Sequence, residues 1–152
     1  MVMVMRKMMS GILSLLFLLA FAVPAMADDD KPVKVGEMPA AARQFMAEHF
    51  PGQSVAVAKQ EGSFLEKNFD VIFTNGNKLE FDRKGVWTSV DCRYGSVPQE
   101  IIPAPVAEYV KIHFPDVEVK KIEKENRRYE VELSNDVELK FNNSFELVDV
   151  DL

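Results

Sequence analysis

The chain has 152 residues, with 18 Lys and Arg against 24 Asp and Glu, a net charge of −6 and 47% hydrophobic residues. Such a balance excludes a disordered tail, a collagen-like fibre and a multi-span membrane protein. The acid excess also argues against a nucleic-acid partner, because phosphate binding needs a cationic face. The single cysteine, Cys92, cannot close an internal disulfide.

Residues 1–27 are predicted to be a secretory signal peptide. Arg6 and Lys7 give a short positive region, an apolar run extends from Gly11 to Val23, and Ala25-Met26-Ala27 supplies the small-x-small cleavage signature. The apolar run is too short for a bilayer span. No cysteine follows it to carry a lipid, so no membrane anchor is expected after cleavage near Ala27. Cleavage removes two basic residues and no acid, leaving an acidic chain for a periplasmic or extracellular compartment. A domain of that size buries roughly two-thirds of its unfolded surface, enough for a core without staples. Cys92 is then expected to be buried, the alternative being an exposed thiol that links two chains. Residues 28–36, opening on Asp28-Asp29-Asp30, are expected to be a flexible acidic segment.

The remainder reads as one unit written twice, at 37–91 and 102–152, joined by a connector at 92–101. Residues 38–51 (MPAAARQFMAEHFP) align with 102–115 (IPAPVAEYVKIHFP). Further on, 69–82 (FDVIFTNGNKLEFD) align with 129–142 (YEVELSNDVELKFN), with four residues fewer between the two blocks of the second copy. Each unit opens with a predicted helix. Ala42, Phe45, Met46, His49 and Phe50 form one apolar stripe, and Val106, Tyr109, Val110, His113 and Phe114 repeat it. Pro39 and Pro103 suit the first helical turn, while Pro51 and Pro115 stop the helix.

Strands follow. A first one is expected at 55–59 and at 117–122. Phe69, Val71 and Phe73, like Tyr129, Val131 and Leu133, then alternate with polar positions, the period of a strand with one wet face. Asn75-Gly76 predicts a type I′ hairpin turn, and Asn135-Asp136 a weaker version of it. Leu79 and Phe81, then Leu139 and Phe141, return with their apolar side inward. Last strands are expected at 86–90 and 145–150. The expected class is α+β: tandem helix-plus-strand repeats sharing one antiparallel sheet, with both helices packed on one face.

These features together resemble a known family: the doubled unit, the helix ends HFP at 49–51 and 113–115, LEFDRKGVWTSVDC at 79–92 and YEVELSNDVELKF at 129–141. The chain is similar, from about Gly36 to Leu152, to secreted PepSY-like proteins related in fold to the beta-lactamase-inhibitor protein. The resemblance implies a periplasmic binding or inhibitory module whose open sheet face meets a protein partner. Related units in peptidase propeptides extend that to regulation of a secreted enzyme such as a peptidase. Some relatives are described as calcium-regulated, but the sequence has no compact calcium loop.

The residues leave little room for catalysis. His49 and His113 occupy equivalent places, and the last helical turn suits a histidine for its dipole and free carbonyls. Two histidines and Cys92 fall short of a closed zinc set. No nucleophile turn, phosphate loop or cofactor motif is present, so no catalytic residue, cofactor or metal is expected and the chain is read as a non-enzyme. Asp28–Asp30, Asp149 and Asp151 lack the spacing of an EF-hand loop and read as solvated charge.

The predicted wet sheet face collects Asp70, Lys78, Glu80, Asp82, Glu130, Glu132, Glu138 and Lys140. A mainly acidic rigid face steers and orients a basic partner. Tyr94 and Trp87 are the aromatic anchor candidates; Trp87 aligns with Leu147, which favours Tyr94. The expected function is a non-enzymatic protein-binding module acting as a monomer or weak dimer. The rival is a calcium- or small-ligand-responsive sensor.

Overall fold

The computed structural model describes residues 30–63 and 65–152. The predicted signal peptide, and its cleavage point, therefore lie outside the described residues. Among these residues nine strands form a single open sheet in which every neighbour is antiparallel and spatial order follows chain order. In sequence these are β1 (Lys31–Pro32), α1 (Ala40–His49), β2 (Val55–Glu61), β3 (Asn68–Phe73), β4 (Lys78–Phe81), β5 (Trp87–Asp91), α2 (Ala104–His113), β6 (Val119–Glu125), β7 (Arg128–Leu133), β8 (Glu138–Phe141) and β9 (Leu147–Asp151). Short 3-10 turns at Val35–Glu37 and Gln99–Ile101 precede the two helices.

The alternation read from the sequence becomes a buried row running across the sheet. Val71, Leu79, Val90, Ile122, Val131 and Leu139 stand opposite one another in successive strand pairs, and each is fully buried. Directly opposed residues in a ladder share a face, so this row is the floor of the core. The helices reach it through aromatic side chains. Phe45 of α1 meets Phe81 edge-on at 5.7 Å, and Tyr109 of α2 meets Phe141 edge-on at 5.5 Å. Phe50, the C-cap of α1, stacks on Phe73 at 5.6 Å.

The turns differ from the expectation in an instructive way. At Asn75-Gly76 only Gly76 has a positive φ, and Phe73 both accepts from the Gly76 N–H and donates to the Asn77 carbonyl. That is a three-residue loop, with a type I turn closed by a left-handed residue, rather than type I′. Leu133 does the same with Asp136 and Val137. The two-residue turn with both φ values positive occurs instead at Asn126-Arg127, between β6 and β7. Its counterpart between β2 and β3 spans 62–67, which accounts for the four-residue difference in the sequence alignment.

Several boundaries also shift. The first strands run on to Glu61 and Glu125, β6 begins at Val119, and β5 and β9 begin one or two residues later than predicted. Asp116, at φ +66°, bends the chain between α2 and β6, as Gly52 at φ +73° does between α1 and β2. Within the segment 28–36, Lys31 and Pro32 form β1, opposite Gln60 and Lys59, and Val33 packs against the core. Residues 28 and 29 lie outside the described residues.

Cys92 closes β5. It is 1% exposed, its N–H donates to the Lys120 carbonyl at 2.8 Å, and burial together with Asp91 pushes its thiol up from 9.0 to about 11. A thiol so placed is expected to react with an aromatic disulfide reagent only as fast as the chain unfolds. Stopped-flow labelling with and without denaturant measures this, and native protein should run as one chain on a non-reducing gel.

Candidate functional site

The face of the sheet opposite the buried row carries two parallel lines of charge, set by the strand register. In one line Lys59, Asp70, Glu80, Ser89, Glu123, Glu130, Lys140 and Asp149 stand opposite one another in turn. In the next, Lys78, Asp91, Lys121, Glu132, Glu138 and Asp151 do the same. Acids outnumber lysines in both lines.

The two halves of this grid are neutralised unequally. Around β2–β4 the carboxylates have cations: Lys78 Nζ sits 3.0 Å from Asp70 and 2.6 Å from Glu80, while Lys59 reaches Asp30 at 2.9 Å and also touches Glu61. Those contacts hold the Lys59 ammonium well above its ordinary range. Around β6–β8 the balance fails. Asp70 faces Glu80 with Lys78 on both, whereas Glu123 facing Glu130 and Glu132 facing Glu138 are like-charged pairs across the ladder with no shared lysine among the described residues. Such pairs are destabilising. Lys121 takes Glu123 at 2.7 Å, and Lys140 is shared among Glu138 at 3.3 Å, Asp151 at 3.5 Å and Asp149 at 3.8 Å. Burial, and a side-chain hydrogen bond with Glu138, raise the Glu130 carboxyl above 4.5. A depression of about 600 Å³ lies here, lined among others by Glu123, Arg128, Glu130, Lys140 and Val148.

A raised carboxyl favours the fold when protonated; that contribution is complete below 4.5 and is lost as pH rises through the folded value. Glu130→Gln is therefore expected to be more stable than the parent at pH 7, with the advantage fading as pH falls towards 4.5. Paired thermal melts across that interval check it.

The structure sorts the residues singled out in the sequence. Lys78, Glu80, Glu130, Glu132, Glu138 and Lys140 lie together on the grid. Asp70 belongs to the grid but is 3% exposed, beneath its lysines, and offers no surface to a partner. Asp82 is a turn residue: its Oδ1 accepts from the Lys84 and Val86 N–H groups at 2.8 and 3.0 Å. Trp87 is on the helix side, its ring parallel to Phe45 at 6.3 Å, with Lys124 Nζ 4.6 Å from its centroid. Tyr94 is 79% exposed at the sheet's end, its ring lying over Gly76. Lys59, Asp91, Lys121, Glu123, Asp149 and Asp151 were missed, because their membership follows from strand register, which one strand's alternation does not state.

The histidines take no part in this grid. His49 Nδ1 lies 3.2 Å from Glu100 Oε1, tying the end of α1 to the 3-10 turn before α2, rather than capping helix carbonyls. That bond, after the carboxylate's own backbone N–H, lowers the Glu100 carboxyl. His113 is exposed beside Tyr109. Among the described residues no cluster of three His, Cys, Asp or Glu is disposed to hold a metal ion. None of their helices is long and apolar enough to cross a membrane.

Residues 67–149 match the family model described as "Putative beta-lactamase-inhibitor-like, PepSY-like". This chain belongs to the PepSY-like family. Three solved structures are similar to this PepSY-like chain over nearly their whole length. A putative calcium-regulated periplasmic protein from Bacteroides thetaiotaomicron is 54% identical, with a TM-score of 0.80, covering 83% of this chain and 99% of its own. A putative periplasmic protein of the DUF2874 family from Bacteroides vulgatus is 48% identical, with a TM-score of 0.81 and the same coverage. A putative periplasmic protein of unknown function, also from Bacteroides vulgatus, is 31% identical, with a TM-score of 0.76 over 81% of this chain and 99% of its own. No curated protein matches the chain.

Proposed function

We propose that this PepSY-like chain is a non-enzymatic periplasmic binding module that holds a basic protein surface against the β6–β8 part of its open sheet face. The periplasmic address is supported by the signal pattern at 1–27 and by the description of the relatives. The fold is a doubled unit, each half a helix followed by four strands, with both helices behind one sheet. Matching turns and matching Phe45–Phe81 and Tyr109–Phe141 contacts support it. Inhibition or regulation of a secreted enzyme such as a peptidase is the specific form this binding takes, without cofactor or nucleic acid.

One observation carries the reading. Glu123 faces Glu130 and Glu132 faces Glu138, like-charged pairs that work against the sheet and, among the described residues, have no lysine bridging both members as Lys78 bridges Asp70 and Glu80. A partner's lysines or arginines relieve that repulsion and gain orientation from it. The experiment is affinity capture from periplasmic extract by the mature chain and by its Glu130→Lys, Glu132→Lys, Glu138→Lys variant. Recovery is expected to fall for the variant and, for the parent, with rising salt. Equal recovery by both forms removes the acidic face from the mechanism.

A second reading, a calcium-responsive module, draws on the description of the 54%-identical relative. It competes for the same carboxylates. A large rise in melting midpoint at low calcium, absent in the triple variant, selects it over protein binding.

A further inference from the structure

Among the described residues the last strand, β9, lacks a neighbour that its counterpart β5 possesses. Both strands follow the same kind of turn: Asp82 and Asn142 each donate their backbone N–H to the carbonyl four residues ahead, accept on their own carbonyl from the N–H three ahead, and accept two further N–H groups on one side-chain oxygen. Both carry a bulge at the same step of the preceding ladder, and Leu79 faces Val90 as Leu139 faces Val150. Val90, Asp91, Val150 and Asp151 are thus paired positions. On its far side β5 is covered by β6, which sets Ile122 against Val90 and Lys121 against Asp91. Among the described residues β9 pairs with β8 alone.

The consequences appear on β9. Val90 is fully buried, but Val150, at the end of the same row, is 40% exposed. Because Cys92 donates to the Lys120 carbonyl, the two-residue alternation of the ladder aims the Val90 N–H at Ile122. The Val150 N–H, pointing the same way, takes its own neighbour's carboxylate instead, Asp149 Oδ1 at 3.0 Å. The opposite edge of the sheet is blunted by β1, two residues long with a lysine and a proline. β9 has five residues and neither device.

We propose that the free edge of β9 accepts an extended basic peptide strand in antiparallel register, with an apolar residue opposite Val150 and lysine or arginine opposite Asp149 and Asp151. The template is the chain's own β6 on β5. Charge selects the occupant, because among the described residues Lys140 alone serves Glu138, Asp149 and Asp151, leaving negative charge along the edge. A second copy pairing β9 with β9 would bring those aspartates together, and like charges across a ladder repel. A basic strand neutralises them, frees the Val150 N–H from Asp149 and extends the buried row by one residue.

The probe is a fluorescein-labelled peptide of residues 119–125 (VKKIEKE), and the same peptide with Glu123→Lys, which places lysine opposite Asp149. Fluorescence anisotropy with the mature chain is expected to show saturable binding of both, tighter for the Glu123→Lys peptide and weakened by salt. Asp149→Lys with Asp151→Lys in the chain is expected to weaken it at least roughly tenfold. Val150→Pro, which removes the donor at an edge position that tolerates proline, is expected to abolish it. If Val150→Pro does not fold, slowed amide exchange of Val150 on peptide addition to the parent chain carries the same information. Three results overturn the proposal: no binding up to about 1 mM peptide, equal affinity for the charge-reversed chain, or a dimer of the free chain that Val150→Pro dissolves. None of these depends on Glu130, Glu132 or Glu138, so failure here is distinguishable from failure of the acidic face.

Discussion

Phe81→Ala is expected to cost about 3–5 kcal/mol, the range for truncating a fully buried aromatic ring. Phe81 has no exposed surface, stands opposite Phe69 on one side and Trp87 on the other, and receives the Phe45 ring edge-on. Phe45 itself lies 4.6 Å from His49 and 6.3 Å from Trp87, so the Phe81 ring is one member of the aromatic cluster that seats Phe45 of α1. Truncation removes the transfer energy of the ring and leaves a void that backbone on three strands is poorly placed to fill. Against a typical total of about 5–15 kcal/mol, that is enough to unfold much of the population at moderate temperature. Phe81→Leu keeps most of the volume and is expected to cost about 1–1.5 kcal/mol. Urea melts with unchanged slope measure both. A cost for Phe81→Ala below about 1 kcal/mol would mean that α1 is not held by this ring.

What made Phe81 legible in advance was periodicity. A 3.6-residue stripe and a two-residue alternation are local properties, and both helices and the central strands could be read from them. The turn signals between those runs supplied the antiparallel pairing. Turn chemistry was read less well, because Asn75-Gly76 satisfies either of two loops. The chain places its left-handed residue one position on, at Gly76, as it does at Asp136. Gly85 and Phe145 show the same tension between local preference and packing. Both sit at positive φ in matching turns, but a Cβ at Gly85 would meet the Ala42 nitrogen and the Pro39 side chain at 2.8 Å. Phe145, where no glycine is found, sets its ring at a tilt against Tyr129, centroids 5.4 Å apart, instead.

The acidic grid was only half legible for a different reason. Alternation says which residues of one strand face outward; it does not say what stands opposite, and the electrostatics are set by opposition. The pairing of Glu123 with Glu130 needed the register of β6 on β7, and β6 itself was expected two residues too early. Nor does alternation say how deep an outward residue lies. Asp70 points to the wet face and is nonetheless covered, because Lys59, Lys78 and Glu80 close over it.

That covering gives the second large effect, Lys78→Met. The Asp70 carboxyl is raised above its usual 3.8, because burial outweighs the pull of the Lys78 ammonium 3.0 Å away; Glu80 and Glu61 add to the rise. Burial lowers the Lys78 ammonium, but hydrogen bonds to Glu80 and Asp70 leave it above its ordinary value. Removing Lys78 takes away the closest group that favours the ionised Asp70, leaving Lys59 at 4.0 Å. A buried charge stripped of its partner costs several kcal/mol; with Lys78 37% exposed and Lys59 nearby, the expected loss at pH 7 is about 1.5–3 kcal/mol. The pH dependence has a definite sign. A carboxyl whose folded value lies above its unfolded one favours the fold fully below about 3.8 and loses that contribution as pH rises through the folded value. Lys78→Met raises the folded value further, so its cost is expected to be largest near neutrality and to shrink as pH falls towards 4. Asp70→Val with Lys78→Met, which replaces the pair by apolar side chains, is expected to recover most of the loss. Urea melts at several pH values, closed as a double-mutant cycle, measure the coupling. A Lys78→Met cost that is the same at pH 4 and pH 7 would show that the ammonium supports the sheet by packing its stem rather than by holding the Asp70 charge.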